Sequence, residues 1–181
     1  LNRDYFYNDS LDGKTWDFAS SGTTLKLSIG SLALDNISTA VAAVLLSGLK
    51  VSQQAIATGI QNAKLQGRFE IRKIADKTVI FDAGHNPHGV EFLLKQLRNF
   101  LEYNKQYTEV VAVFSMLADK DINSVVNLLK NTVLKWKIAP MAVPRAASLD
   151  QLESALQGET VQSYQNVQAA FQSALEESNN N

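Results

Sequence analysis

From residue 70 onward the chain repeats one pattern, a short apolar run of strand length followed by an amphipathic stretch of helical period. Strand-like segments fall at 70–74 and 78–81, joined by a tight turn at Ala75-Asp76-Lys77. Others follow at Val110-Val111-Ala112-Val113-Phe114, at about 135–139 and near Val161. Helical periodicity occupies about 88–103, 121–134, 148–156 and 165–176. Such alternation predicts an α/β fold, a Rossmann-like and mostly parallel sheet with helices on both faces. A unit of this kind ordinarily returns from its last helix to one more strand. None follows residue 176 in the sequence, so the pattern leads us to expect a missing final strand.

The first third of the chain reads differently. Asp4-Tyr5-Phe6-Tyr7 and Thr15-Trp16-Asp17-Phe18 flank turn residues at Leu11-Asp12-Gly13-Lys14, and Leu25-Lys26-Leu27-Ser28-Ile29 alternates with period two, as strands do. From Asn36 to Leu46 the residues are small and apolar, as in a buried helix, with Gly48 placed to end it. A second helix opens on Ser52 as its N-cap and presents Ile56 and Ile60 on one face. Leu65-Gln66-Gly67-Arg68-Phe69 then breaks the helical period. A domain boundary is expected there, dividing residues 1–64 from 65–181.

Composition narrows the function classes. At 181 residues the chain can build one sizeable core, or one domain and part of another. The formal charge of −1 carries no basic excess of the kind that binds nucleic acid. With no cysteine there is no disulfide framework or thiolate metal site, and a cytoplasmic location is expected. The longest helix-like apolar stretch, residues 40–46, is far short of the roughly 20 residues that span a bilayer. The chain opens on Leu1 with no signal-like segment and closes on Glu176-Glu177-Ser178-Asn179-Asn180-Asn181 directly after a helical pattern. It is expected to be a piece of something longer.

The residues able to carry chemistry gather at strand ends. Phe81-Asp82-Ala83-Gly84-His85-Asn86-Pro87-His88 lies between an apolar run and a helical pattern, where ligands bind in open α/β sheets. Asp82 there can accept hydrogen bonds from ribose hydroxyls, and His85, just ahead of a helix, can donate to phosphate or carboxylate oxygens. The plainer alternative is a turn-capping aspartate beside surface histidines. Arg68 is either a linker arginine or a cation able to neutralise charge in phosphoryl transfer. Asn36 is either a helix N-cap or an amide that reads a base edge. Lys120, in Asp119-Lys120-Asp121, and Arg145, after Pro144, follow later strands and could meet an anionic substrate, with Asp121 capping the next helix. By topology Asp82, His85, Lys120 and Arg145 are expected along the C-terminal edge of one sheet. No G-x-x-x-x-G-K-[ST], G-x-G-x-x-G or H-E-x-x-H occurs, so a nucleotide's phosphates would need a cradle outside this chain.

Several of these segments together resemble the folylpolyglutamate synthase/dihydrofolate synthase group of the Mur ligase superfamily. Leu65-Gln66-Gly67-Arg68-Phe69-Glu70 resembles its L-P-G-R-F-Q/E junction, and residues 79–88 resemble V-I-L-D-x-A-H-N-P-H. Leu117-Ala118-Asp119-Lys120-Asp121 is similar to L-x-D-K-D, and residues 136–140 with Pro144-Arg145-Ala146-Ala147-Ser148 are similar to W-x-x-A-P followed by P-R-G-A-[ST]. Residues 35–40 resemble the P-N-A-A-T-A helix start. The resemblance runs over nearly the whole chain in the right order.

It implies an ATP-dependent amide ligase. Such an enzyme phosphorylates the carboxylate of dihydropteroate or a folate, and L-glutamate attacks the acyl phosphate. Residues 1–64 would then end a central ATP-binding domain whose P-loop and Mg2+ ligands lie outside the chain. Residues 65–181 would form the C-terminal domain without its last strand. By the same resemblance Asn36 would contact adenine, Arg68 the phosphates and Asp82 the ribose. His85 would lie near the phosphates or the incoming glutamate, and Lys120 and Arg145 near substrate. The implied partners are these small molecules and the N-terminal part of the same protein, with no nucleic acid, no membrane and a monomeric state. The chain alone is expected to be inactive. Ser115, Gln66 and Asn2 depart from the family's usual glycine, proline and glycine. Two other readings stand beside this one, a non-catalytic Rossmann-like nucleotide-binding module and a Mur-type ligase of cell-wall amino acids.

Overall fold

The computed structural model describes residues 4–9, 15–20, 22–30 and 32–177. The chain folds as two compact units, Leu1–Arg68 and Phe69–Asn181. The turn expected at residues 11–14, Asn2 and the tail from residue 178 lie outside the described residues.

In the first unit β1 (Tyr5–Asp9), β2 (Thr15–Ser20) and β3 (Thr23–Ser28) form an antiparallel sheet in that order. Alternation decides its faces. Trp16 pairs with Leu27 and Phe18 with Leu25, and all four side chains are buried, while Asp17 and Lys26 point to water. Onto the buried face pack α1 (Leu34–Leu46), through Ile37, Val41 and Ala42, and α2 (Gln53–Asn62), through Ile56 and Ile60. Two hydroxyls fasten strand to helix: Tyr7 donates to Asp35 Oδ1 at 2.7 Å, and Tyr5 shares a 2.7 Å bond with Thr39. Gly30 lets α2 approach the end of β3, because a Cβ there would stand 2.8 Å from the Ile60 carbonyl oxygen.

Ser52 caps α2 as expected, accepting from the Ala55 amide at 3.2 Å. Gly48, at φ +76°, supplies the left-handed residue just past α1. The other end of α1 corrects the sequence reading. The helix begins at Leu34 with Ala33 as its N-cap and no side-chain cap, so Asn36 lies within the first turn, exposed.

The second unit opens with a hairpin, β4 (Glu70–Ile74) and β5 (Lys77–Phe81), paired antiparallel. Its turn is two residues, not three. Ala75 and Asp76 both take positive φ (+47° and +63°), the geometry that matches strand twist, and Lys77 joins the ladder opposite Ile74. Then come α3 (Pro87–Tyr103), β6 (Val111–Phe114), α4 (Ile122–Leu129), β7 (Lys135–Ile138), α5 (Leu149–Ala155), β8 (Val161–Ser163) and α6 (Val167–Glu177). Strands β6, β7 and β8 form a wholly parallel sheet in sequence order. Helix α4 stops five residues short of the expected end. The amides of Thr132 and Val133 both donate to the Leu129 carbonyl, and the resulting turn drives Val133 into the core.

Strand β7 shows how helices come to cover both sheet faces. Trp136 and Ile138 point into a core built with Val90 and Leu94 of α3, Val125 and Val126 of α4, and Leu152 of α5. Lys137 points the other way, is fully buried, and reaches α6. Its ammonium donates to Gln162 Oε1 (2.5 Å), Tyr164 Oη (3.1 Å) and Ser173 Oγ (3.0 Å), and pairs with Glu177 Oε2 at 3.0 Å. Burial would push its pKa down, but the bonds to Tyr164 and Glu177 outweigh that and raise it. The same contact holds the Glu177 carboxyl below its ordinary value.

Candidate functional site

The strand-end turn after β5 is organised by one carboxylate. The Gly84 amide donates to Asp82 Oδ1 at 2.7 Å and the Phe69 amide to Asp82 Oδ2 at 2.8 Å, so each oxygen of the side chain holds a backbone N–H. A carboxylate has about four lone-pair sites, and two remain for a ligand. One residue on, the exposed His85 ring places Nδ1 3.0 Å from the Ala83 carbonyl oxygen. With Nδ1 donating there, Nε2 points away as an acceptor when the ring is neutral and as a donor when it is protonated. Asn86 then closes the turn by capping α3, accepting from Gly89 N at 2.8 Å, and Pro87 starts the helix where its missing N–H costs nothing.

The same carboxylate reaches back to the junction segment. Gly67 (φ +65°) and Phe69 (φ +44°) both adopt left-handed backbone, a conformation that costs a non-glycine residue about 1–3 kcal/mol. Phe69 is held there by the Asp82 bond and by its ring, which meets Phe100 edge-on at 6.3 Å. Phe100 in turn stacks on Tyr107 at 5.5 Å, and the Tyr107 hydroxyl bonds Thr78 and Lys73. The bond from Lys73 holds that phenol below its ordinary pKa, with Thr78 adding to the effect. Arg68, between the two left-handed residues, is exposed, and among the described residues its guanidinium has no partner.

A second cluster forms beyond the parallel sheet. The segments after β6 and β7 are zipped together by a bridge between Leu117 and Ala146. The Ala118 amide donates to the Arg145 carbonyl (2.8 Å) and the Ala147 amide to the Met116 carbonyl (2.9 Å). This brings Arg145 Nη1 to 3.4 Å and Lys120 Nζ to 3.5 Å from the same Asp119 oxygen. The group carries a net positive charge and lies open to solvent. In the segment after β6 the buried Ser115 hydroxyl has no hydrogen-bond partner among the described residues. Asp121 caps α4 through the Ser124 amide at 3.0 Å, which holds its carboxyl below the ordinary value.

The expected sites therefore fall in three places. Asp82, His85 and, through Phe69, the backbone next to Arg68 belong together. Lys120 and Arg145 share Asp119, and Asn36 sits on the first turn of α1. The expectation of one common sheet edge is corrected: among the described residues β5 pairs with β4 alone, while β6 and β7 belong to the parallel sheet. Sequence reading missed Phe69 as a fixed element and Asp119 as the joint between two cations. Only the alternating charges of Asp119-Lys120-Asp121 pointed to the latter. No group of three or more histidine, aspartate or glutamate side chains able to hold a metal exists among the described residues. No helix among them is long and apolar enough to cross a membrane.

A parallel three-stranded sheet flanked by helices, with an acid and a histidine at a strand-to-helix turn, places the second unit in the Rossmann-like class of α/β folds. The family is more specific. The Mur ligase, glutamate ligase domain matches residues 67–181, and the chain belongs to that family. It is 39% identical over 147 residues to the dihydrofolate synthase/folylpolyglutamate synthase of Escherichia coli (strain K12), a match over 81% of this chain and 34% of that protein. The solved structure of E. coli FolC in complex with DHPP and ADP superposes with a TM-score of 0.81 at 34% identity, covering 97% of this chain and 41% of that one. A bifunctional folylpolyglutamate synthase/dihydrofolate synthase with Mn, AMPPNP and L-glutamate bound gives 0.82 at 29% identity, covering 99% and 41%. The chain thus spans well under half the length of these relatives.

Proposed function

We propose that this chain is the C-terminal portion of an ATP-dependent amide ligase that joins L-glutamate to dihydropteroate, to tetrahydrofolate, or to both. Residues 1–64 end the central domain and residues 65–181 belong to the C-terminal domain. The observation that carries the reading is the Asp82 turn, where a carboxylate with spare lone pairs and a histidine with a free Nε2 stand at a strand end. Relatives solved with ADP, or with AMPPNP, Mn and L-glutamate, support it.

ATP would supply the phosphoryl group that activates the carboxylate of the pteroate or folate. The chain's own residues do the rest. The Arg68 guanidinium neutralises phosphate oxygens as charge builds on them. Asp82 accepts from ribose hydroxyls through its unused lone pairs, and Asn36 offers its amide to the adenine. His85 Nε2 contacts the phosphates or the incoming glutamate. Lys120 and Arg145 present paired cations to a substrate carboxylate. Sequestration of this group from water protects the activated acyl species from hydrolysis. On this reading the P-loop and the Mg2+ ligands belong to the N-terminal part of the protein. A monomer in the cytoplasm completes the reading.

The test is ATP-dependent incorporation of L-glutamate by the intact parent protein. With dihydropteroate or tetrahydrofolate as acceptor, Arg68→Ala should lower kcat by about 10²–10³-fold, the usual effect of losing one transition-state donor. Wild-type protein that uses a cell-wall peptide precursor instead, or binds ATP and forms no amide, would overturn the proposal.

A further inference from the structure

We infer that Asp82 is a positioning residue: one carboxylate sets the backbone beneath both Arg68 and His85. The two amides it holds belong to Phe69 and Gly84. Arg68 immediately precedes the first and His85 immediately follows the second. Each proposed phosphate-facing side chain therefore hangs one peptide unit from an amide fixed by the same carboxylate. Phe69 and the carboxylate that holds it are 13 residues apart.

Three features argue that the bond to Phe69 is a built device rather than a turn cap that reaches a second donor. A turn cap needs only the local bond to Gly84, two residues on. The longer bond meets Phe69 at φ +44°, where glycine would be the easy choice. The phenyl ring is kept instead and seated on Phe100. Carboxylate and ring thus grip residue 69 from two sides. Gly67 takes the left-handed conformation on the other side of Arg68, at φ +65°.

The structural half of this inference stands on geometry alone. The functional half rests on the ligase reading, because it takes Arg68 and His85 as phosphate contacts. If Asp82 also accepts from ribose, nucleotide binding and the setting of Arg68 and His85 pass through one side chain. Removing the carboxylate should then lower turnover even when nucleotide is saturating. Loss of a ribose contact alone would raise KM and spare kcat.

Asp82→Asn is the informative substitution. An amide has one acceptor oxygen, so at least one of the two backbone bonds is lost in either orientation. In the 181-residue chain, hydrogen exchange followed by NMR should show the Phe69 amide, the Gly84 amide or both exchanging at least tenfold faster. The Trp136 and Ile138 amides should be unchanged and report that the fold is intact. Phe69→Gly, which keeps the N–H but removes the ring, serves as the second variant. It should speed exchange at residue 69 while leaving Gly84 protected. In the intact ligase both variants should lower kcat at saturating ATP by about tenfold or more. Wild-type exchange rates in Asp82→Asn would overturn the clamp. Faster exchange with unchanged kcat would overturn the positioning role. Failure of the ligase reading would show separately, as a wild-type protein that forms no amide.

Discussion

The two strand-end clusters of the second unit are anchored in opposite ways. At the Asp82 turn a side chain grips backbone, with bonds of 2.7 and 2.8 Å, and the Phe69 and Gly84 amides cannot shift without stretching them. Around Asp119 the backbone is zipped first, by the Leu117–Ala146 bridge, and the charged side chains then meet loosely at 3.4 and 3.5 Å in open solvent. The first arrangement suits contacts that must be identical in every cycle, as with an invariant nucleotide. The second suits a substrate whose length or charge varies, because long cationic side chains can follow it at little cost.

Breaking each anchor should expose that difference. Asp82→Ala strips the partner from two partly buried amides, each worth about 1–3 kcal/mol when orphaned, so the second unit should lose ~2–6 kcal/mol in urea unfolding. A loss under half a kcal/mol would mean that water replaces the carboxylate freely. Asp119→Asn should cost under about 1 kcal/mol, the range of exposed ion pairs, and its effect should fade as salt is added. A large, salt-independent loss there would erase the contrast.

The smallest effect is a pH profile of the α6 clamp, which belongs to neither cluster. The Glu177 carboxyl is held below 4.5, so its contribution is complete above that pH and disappears as pH falls through the lowered value. Lys137 is held above 10.5, so its contribution is complete below that pH and disappears as pH rises through the raised value. Protection of α6 amides should thus fall at both extremes. Glu177→Gln should flatten the acid limb and, because Glu177 helps raise Lys137, weaken the alkaline limb as well; an acid limb unchanged by that substitution would exclude the pair as its cause.

Much of this was legible in the order of residues, and the reasons differ by element. The alternation from β5 to α6 could be read because each apolar run and each helical stripe is local. Ser52 and Asp121 announced their helices because a cap acts within three residues. Asn36 misled because asparagine is as good an N-cap as any, yet the Tyr7 bond to Asp35 accompanies a helix that starts two residues earlier. Lys137 could not be read at all. Period two separates it from Trp136 and Ile138 but does not say that α6 covers the opposite face with hydroxyls and a carboxylate. The clamp at Phe69 was equally hidden, since it joins residues 13 apart through a backbone donor that carries no side-chain signature.

The tryptophans give the two units separate voices. The chain has two, Trp16 in the first unit and Trp136 in the second, and both are fully buried. Their surroundings differ: the Trp16 indole donates to the Ser28 carbonyl at 3.3 Å, whereas the Trp136 indole N–H, beside Phe114, is buried with no partner among the described residues. An indole in a dry pocket emits at shorter wavelength than one bound to a carbonyl. The intrinsic fluorescence of this protein should therefore carry a bluer component from Trp136 and a redder one from Trp16, so that the melting of each unit can be followed in a single cuvette without a label.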